Sequence, residues 1–285
     1  MQGQTSRPIK IFSLYRQFLD FLRKISSSPA GRTKKWPVYL EYYYRPHKEF
    51  LDAYFSHSPL ADPAVLEERV EAVKAADYAG LKSLCDLSPP EPIIEEAFEK
   101  CLAVVSPPRK PEAYLFVGFF SPEGFVMDLR GRPILGFGLE RFRDFRLLPV
   151  IFAHEYVHYL LRLANPEVPE SQNIRWLIIS EGLAAVFPAF VFPGLLPADY
   201  FLFRRDRLNW CQANEARLRD IYCSGRFSPQ ELLDFYERGN PGLDLPPRAA
   251  KYLGFRAVQR YLAQDPEASF SRLLLDKKLA LSLEI

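Results

Sequence analysis

A mostly helical α+β fold with one small antiparallel sheet is predicted by three features of this 285-residue sequence. Apolar residues recur at helical spacing over most of the chain. A stiff connection, Ser106-Pro107-Pro108-Arg109-Lys110-Pro111, interrupts that pattern, and directly after it aromatic and aliphatic residues alternate as they do in strands. A hydrophobic content of 48% lets a chain of this length bury a substantial core. The expected division is a helical N-terminal region over 1–110 packing on the core, and a second domain over 111–285.

From Ile9 to Ile25 the residues Ile11, Leu14, Tyr15, Phe18, Leu22 and Ile25 fall on one side of a helix, a stripe that ordinarily serves packing. Trp36 to Cys101 reads as several helices, broken near Ser56 to Pro63 and at Ser88-Pro89-Pro90-Glu91-Pro92. Three strands follow, Ala113 to Phe120, Phe125 to Arg130 and Ile134 to Glu140, joined by the Ser121-Pro122-Glu123-Gly124 and Gly131-Arg132-Pro133 turns as an antiparallel meander. The run VIFAHEYVHYLL then forms a buried helix that Pro149 can start and Asn165-Pro166 can stop. NIRWLIISEGLAAVF reads as a second apolar helix. Helices continue through Tyr200 to Tyr222, and the last run from Arg248 to Ala263 and from Phe270 to the end. No internal repeat or low-complexity segment is present.

The chain has four histidines, and two of them stand in His154-Glu155-Tyr156-Val157-His158. On a helix, residues four apart share a face, so both imidazoles reach one ion while Glu155, one position round, leans toward an open coordination place. Two histidines and a glutamate in a buried helix are costly without a ligand or hydrogen-bond partners. A catalytic zinc usually takes three protein ligands, and Glu181, the one acidic residue in the next apolar helix, is the natural third donor. Gly182, Ala184 and Ala185 supply small side chains for a close approach of that helix to the first. The competing reading pairs Glu181 with an arginine such as Arg175, and leaves the histidines as core residues.

HEYVH, SEGLAAVF and the later KYLGFRAVQRYL together resemble a bacterial family of predicted zinc-dependent proteases of the gluzincin type, over roughly residues 111–285 and more loosely over the stretch beginning WPVYLEYYY. The resemblance implies a zincin-like catalytic domain with Zn2+ held by His154, His158 and Glu181. It implies Glu155 as general base, and it opens an oxyanion-donating role to Tyr252. One departure is plain: where thermolysin-like enzymes carry an acidic residue one turn after the ligand glutamate to orient a ligating histidine, this chain has Ala185. In such peptidases an edge strand beside the metal pairs with an extended substrate backbone, and Ile134 to Glu140 is the expected strand. Gly136 and Gly138 there serve either approach of a main chain or tight packing.

The implied activity is hydrolysis of a peptide or protein substrate. The alternative is a zinc-containing peptide-binding or regulatory protein that does not cut, and a third reading is a metal-free helical interaction module. A net charge of +2 with scattered basic residues gives no support to nucleic-acid binding. The Arg32-Thr33-Lys34-Lys35 cluster reads as a solvated linker. Cys85, Cys101, Cys211 and Cys223 are too far apart for a second zinc site, and the N-terminus shows no secretory pattern, so a cytoplasmic location is expected. The apolar stretch Gly182 to Pro197 contains Pro188 and Pro193 and is read as a buried active-site helix, so no membrane span is expected.

Overall fold

A computed structural model describes residues 9–27, 34–56, 58–119, 121–166, 173–264 and 269–285. Arg32 and Thr33 of the basic cluster, and most of the loop after Pro166, lie outside the described residues. The fold is mostly helical with one small open sheet, and it separates into two compact units, 1–96 with 108–149, and 97–107 with 150–285.

In the first unit, strand β1 (Lys10–Ser13) leads into α1 (Tyr15–Ser27). The amphipathic run therefore opens as a strand: Ile11 belongs to β1, while Tyr15, Phe18, Phe21 and Leu22 form the buried stripe of α1. Helix α2 (Lys35–Tyr39) continues through a π turn and a 3-10 turn, where Pro46 removes a backbone donor, into α3 (Lys48–Phe55). Helices α4 (Pro63–Glu71) and α5 (Ala79–Leu87) follow, and α6 (Pro90–Val104) starts in this unit and ends in the second. The proline-rich break thus starts a helix, because a proline in the first turn gives up an N–H that has no partner there anyway. Glu91 in that first turn accepts from Ser13, Tyr15 and Arg16, which ties β1 and α1 to the start of α6.

Strands β2 (Glu112–Phe116), β3 (Phe125–Leu129) and β4 (Arg132–Gly138) complete a sheet of order β1-β2-β4-β3. Two sequence expectations fail here. The sheet is mixed: β2 is parallel to both β1 and β4, and only β3–β4 is an antiparallel hairpin, closed by Arg130 and Gly131 at positive φ. Accordingly β4 is an inner strand with neighbours on both sides, so it cannot take an extended substrate as an edge would. Its glycines serve packing, since a Cβ at Gly136 would collide with the ring of Phe125 and one at Gly138 with Ser121. The Tyr43 hydroxyl donates to the Val117 carbonyl at 2.9 Å and accepts from the Val117 N–H at 3.0 Å, which pins the end of β2 to the buried aromatic cluster of Phe18, Phe21 and Tyr39.

The second unit is built on α7 (Leu148–Ala164) and α8 (Ile174–Val191). After them come α9 (Pro197–Phe201), α10 (Arg205–Ala213), α11 (Glu215–Cys223), α12 (Pro229–Arg238), α13 (Lys251–Gln264), α14 (Phe270–Leu275) and α15 (Lys277–Ser282). Asn173 caps α8 by accepting from the Trp176 N–H, as a short polar side chain does at a helix start. Pro188 lies inside α8 rather than ending it. Among the described residues α8 alone is long and apolar enough to cross a membrane, and 72% of it is buried within the protein, as in a core helix.

Two glycines fix how α8 meets α13. A Cβ on Gly182 would strike the backbone of Gly254, and a Cβ on Gly254 would strike the Ile178 carbonyl, so the helices touch backbone to backbone. The sequence assigned Gly182 to the approach of α8 to α7. Its absent side chain instead makes room for α13.

Candidate metal centre

His154, Glu155 and His158 stand mid-way along α7, flanked by Val150, Ile151, Phe152, Val157, Leu160 and Leu161, all buried. Tyr156 anchors the helix further, its hydroxyl donating to the Val105 carbonyl at 2.8 Å. Apolar side chains hold α7 on nearly all sides, so the orientation of its two imidazoles is set by packing. The rings lie 5.0 Å apart between centroids, as an i, i+4 pair must.

Glu181 on α8 meets both rings. His154 Nε2 and His158 Nε2 are 3.3 Å apart, Glu181 Oε2 is 3.6 Å from the first, and Glu181 Oε1 is 3.7 Å from the second. Donors about 2.0–2.2 Å from a tetrahedral zinc stand roughly 3.3–3.5 Å from one another. The three side chains therefore match the spacing of a zinc ligand set, two nitrogens and one oxygen. No other group of three or more such side chains is close enough to hold an ion among the described residues. A metal-free helical module would need these side chains to point apart, and they converge.

The tautomer is set by α8. His154 Nδ1 lies 3.0 Å from the Ala184 carbonyl, an acceptor, so the ring carries its proton on Nδ1 and presents Nε2 to the cluster. This supplies the orienting partner that the sequence left open at Ala185: a main-chain carbonyl one residue earlier does what a carboxylate does in thermolysin-like sites. Burial, with the Lys251 ammonium adding to it, pushes the His154 pKa down to about 3. The imidazole is thus kept neutral, the form in which it ligates a metal.

Lys251 is the residue that motif reading missed. At 4% exposed it is buried, and its Nζ is 3.1 Å from Glu181 Oε2 and 3.5 Å from His154 Nε2. The only sequence signal is a lysine at the start of an otherwise apolar run, AAKYLG, three residues before Gly254 and hence on the face that α13 turns to α8. Burial pushes the Glu181 carboxyl up, but Lys251 and the two histidines outweigh it and hold it well below the usual carboxylate range. Burial likewise lowers Lys251, against the pull of Glu181 and Glu155. Glu181 does not pair with Arg175, whose guanidinium donates to the carbonyls of Leu281 and Leu283.

Glu155 is also buried and close enough to Lys251 to be felt by it, while standing outside the three-residue cluster. Tyr252 follows Lys251 on α13. Its ring stacks on Phe201 at 6.0 Å, and burial and the hydrogen-bonded carboxylate of Glu215 raise its pKa. All four cysteines are free thiols. A separate cavity of about 570 Å3 in the first unit, lined by Arg69, Asp77, Tyr78, Glu140 and Arg143 among others, contains none of the cluster residues. Comparison with protein-family models, with curated proteins and with solved structures gives no match to this chain.

Proposed function

We propose that the chain is a zinc-dependent peptidase in which His154, His158 and Glu181 hold Zn2+ and Glu155 is the general base. The observation that carries this reading is the convergence of one carboxylate and two imidazoles at zinc-ligand spacing, with a second acidic side chain, Glu155, next to His154 on the same helix. When bound, zinc supplies a Lewis acid that polarises a scissile carbonyl and activates water at neutral pH. The chain's own residues do the rest. Glu155, one position round from His154, takes the proton of the attacking water and returns it to the leaving amine. His154 is held for ligation by the Ala184 carbonyl, so no rearrangement of the ring is needed on metal entry. Tyr252 keeps the oxyanion-donating role that the family resemblance suggests for it. Support for a zincin-like domain rests on the site and on the motif rather than on any match of the whole fold.

Glu155→Gln separates cutting from holding. The variant is expected to keep zinc and to lose about 100-fold or more of hydrolysis of unfolded protein chains, the share that a positioned base contributes. Unchanged hydrolysis would remove Glu155 from the mechanism. Zinc retained by wild type with no cleavage of any unfolded chain would favour the peptide-binding alternative.

A further inference from the structure

Buried lysines are rare because an ammonium loses its hydration, and one that persists has a partner that holds it. Lys251 approaches the same Oε2 of Glu181 and the same Nε2 of His154 that belong to the metal cluster, at 3.1 Å and 3.5 Å. Its location is not free to adjust. The Gly182–Gly254 contact sets α13 against the α8 backbone, and Lys251 stands one turn before Gly254 on the same face. Arg248, one turn further back, adds positive charge to this end of α13. The fold thus delivers an ammonium against two donor atoms of a cluster whose donor set suits a dication.

Two cations cannot share one carboxylate without cost. The metal must either move the ammonium off Glu181 or bind beside it, and each course weakens its hold. Without metal, the same ammonium is the cation nearest Glu181, a half-buried carboxylate whose other close neighbours are the two imidazoles. We propose that Lys251 is a built-in counter-cation of the metal centre: it holds Glu181 in place while the site is empty, and it sets the zinc affinity below what the two histidines and the glutamate alone would give. The assignment rests on the zinc-site reading above.

The test measures zinc affinity on the full chain by competition with a chromophoric chelator at one fixed pH, for wild type, Lys251→Met, Lys251→Gln and Lys251→Arg. Melting with and without zinc is followed alongside. Lys251→Met is expected to bind zinc at least tenfold tighter, about 1.4 kcal/mol, while its metal-free form melts lower than wild type and gains a larger upward shift from zinc. Lys251→Gln, which leaves a neutral donor to Glu181, is expected to move in the same direction and stands in should the methionine variant fail to fold. Lys251→Arg restores the charge and is expected to return affinity to near the wild-type value. A residue with a merely structural part would lower affinity when replaced. Folded methionine and glutamine variants that bind zinc no tighter than wild type would overturn the proposal while leaving the zinc site standing. Zinc bound by neither wild type nor variants would overturn the site itself.

Discussion

Glu140 in the first unit and Glu181 in the second are both carboxylates withdrawn from water, and their surroundings differ in kind. Oε1 of Glu140 accepts from the N–H of Gly118 at 2.9 Å, the N–H of Ser121 at 3.2 Å and the Ser121 hydroxyl at 2.8 Å. Two of these donors are main-chain N–H groups fixed by the backbone, and together the three staple the chain after β2 to the end of β4. Glu181 meets no such donor: its neighbours are two imidazoles and an ammonium, every one able to gain, lose or share a cation. The charge balance follows. Burial raises the Glu140 carboxyl despite its hydrogen bonds, whereas Lys251 and the histidines drive Glu181 below its ordinary range against burial. Burial alone therefore does not mark a functional acid. What marks it is a shell made of groups that could equally serve a metal.

The comparison can be broken at both ends. Glu181→Ala removes one of the three proposed ligands and strands the Lys251 ammonium, and it is expected to cost about 4 kcal/mol of stability as well as zinc binding, read by denaturant unfolding and metal analysis. Replacing both members, Glu181→Leu with Lys251→Met, is expected to recover most of that stability but no zinc, because a buried ion pair is often exchanged for apolar residues at little cost. Gly254→Val forces α13 away from the Ile178 carbonyl, and a loss of about 3 kcal/mol together with weaker zinc binding is expected. Glu140→Ala orphans two backbone donors and should cost about 2 kcal/mol with zinc content unchanged.

The smallest effect is expected from Glu140→Gln, about 1 kcal/mol near neutrality, since the amide oxygen still accepts. Its pH dependence carries the sign. A carboxyl raised by burial binds its proton more tightly in the folded than in the unfolded chain, so its contribution is fully present below the unfolded pKa and is lost as pH rises through the folded one. Wild type should lose ground relative to the glutamine variant as pH rises above about 4, the ordinary value of an unfolded glutamate. A variant that instead loses ground as pH rises would mean that the backbone donors, not burial, govern Glu140.

Much of the site was legible in the sequence because helical spacing is rigid: His154 and His158 can only share a face, and a lone acid in NIRWLIISEGLAAVF had few other uses. The hairpin too was legible, since Gly131-Arg132-Pro133 separates two alternating runs, although the turn itself falls one residue earlier, at Arg130-Gly131, and Arg132 and Pro133 belong to β4. Sheet order was not, because nothing local says that β4 pairs in parallel with β2, or that a four-residue segment before α1 adds a further strand. The orienting partner of His154 escaped notice for a related reason: a main-chain carbonyl leaves no signature in residue type, and Ala184 looks like any small core residue. Lys251 comes from a helix 70 residues beyond Glu181 in sequence, and only the glycine contact brings it into place.

The most direct test is the zinc content of protein purified without chelator, for wild type, His154→Ala, Glu181→Ala and, as the contrasting carboxylate, Glu140→Gln. One zinc per chain in wild type and Glu140→Gln, with none in the other two, is the result predicted. Zinc absent from wild type even after it is added back, or kept by both His154→Ala and Glu181→Ala, would contradict the metal centre.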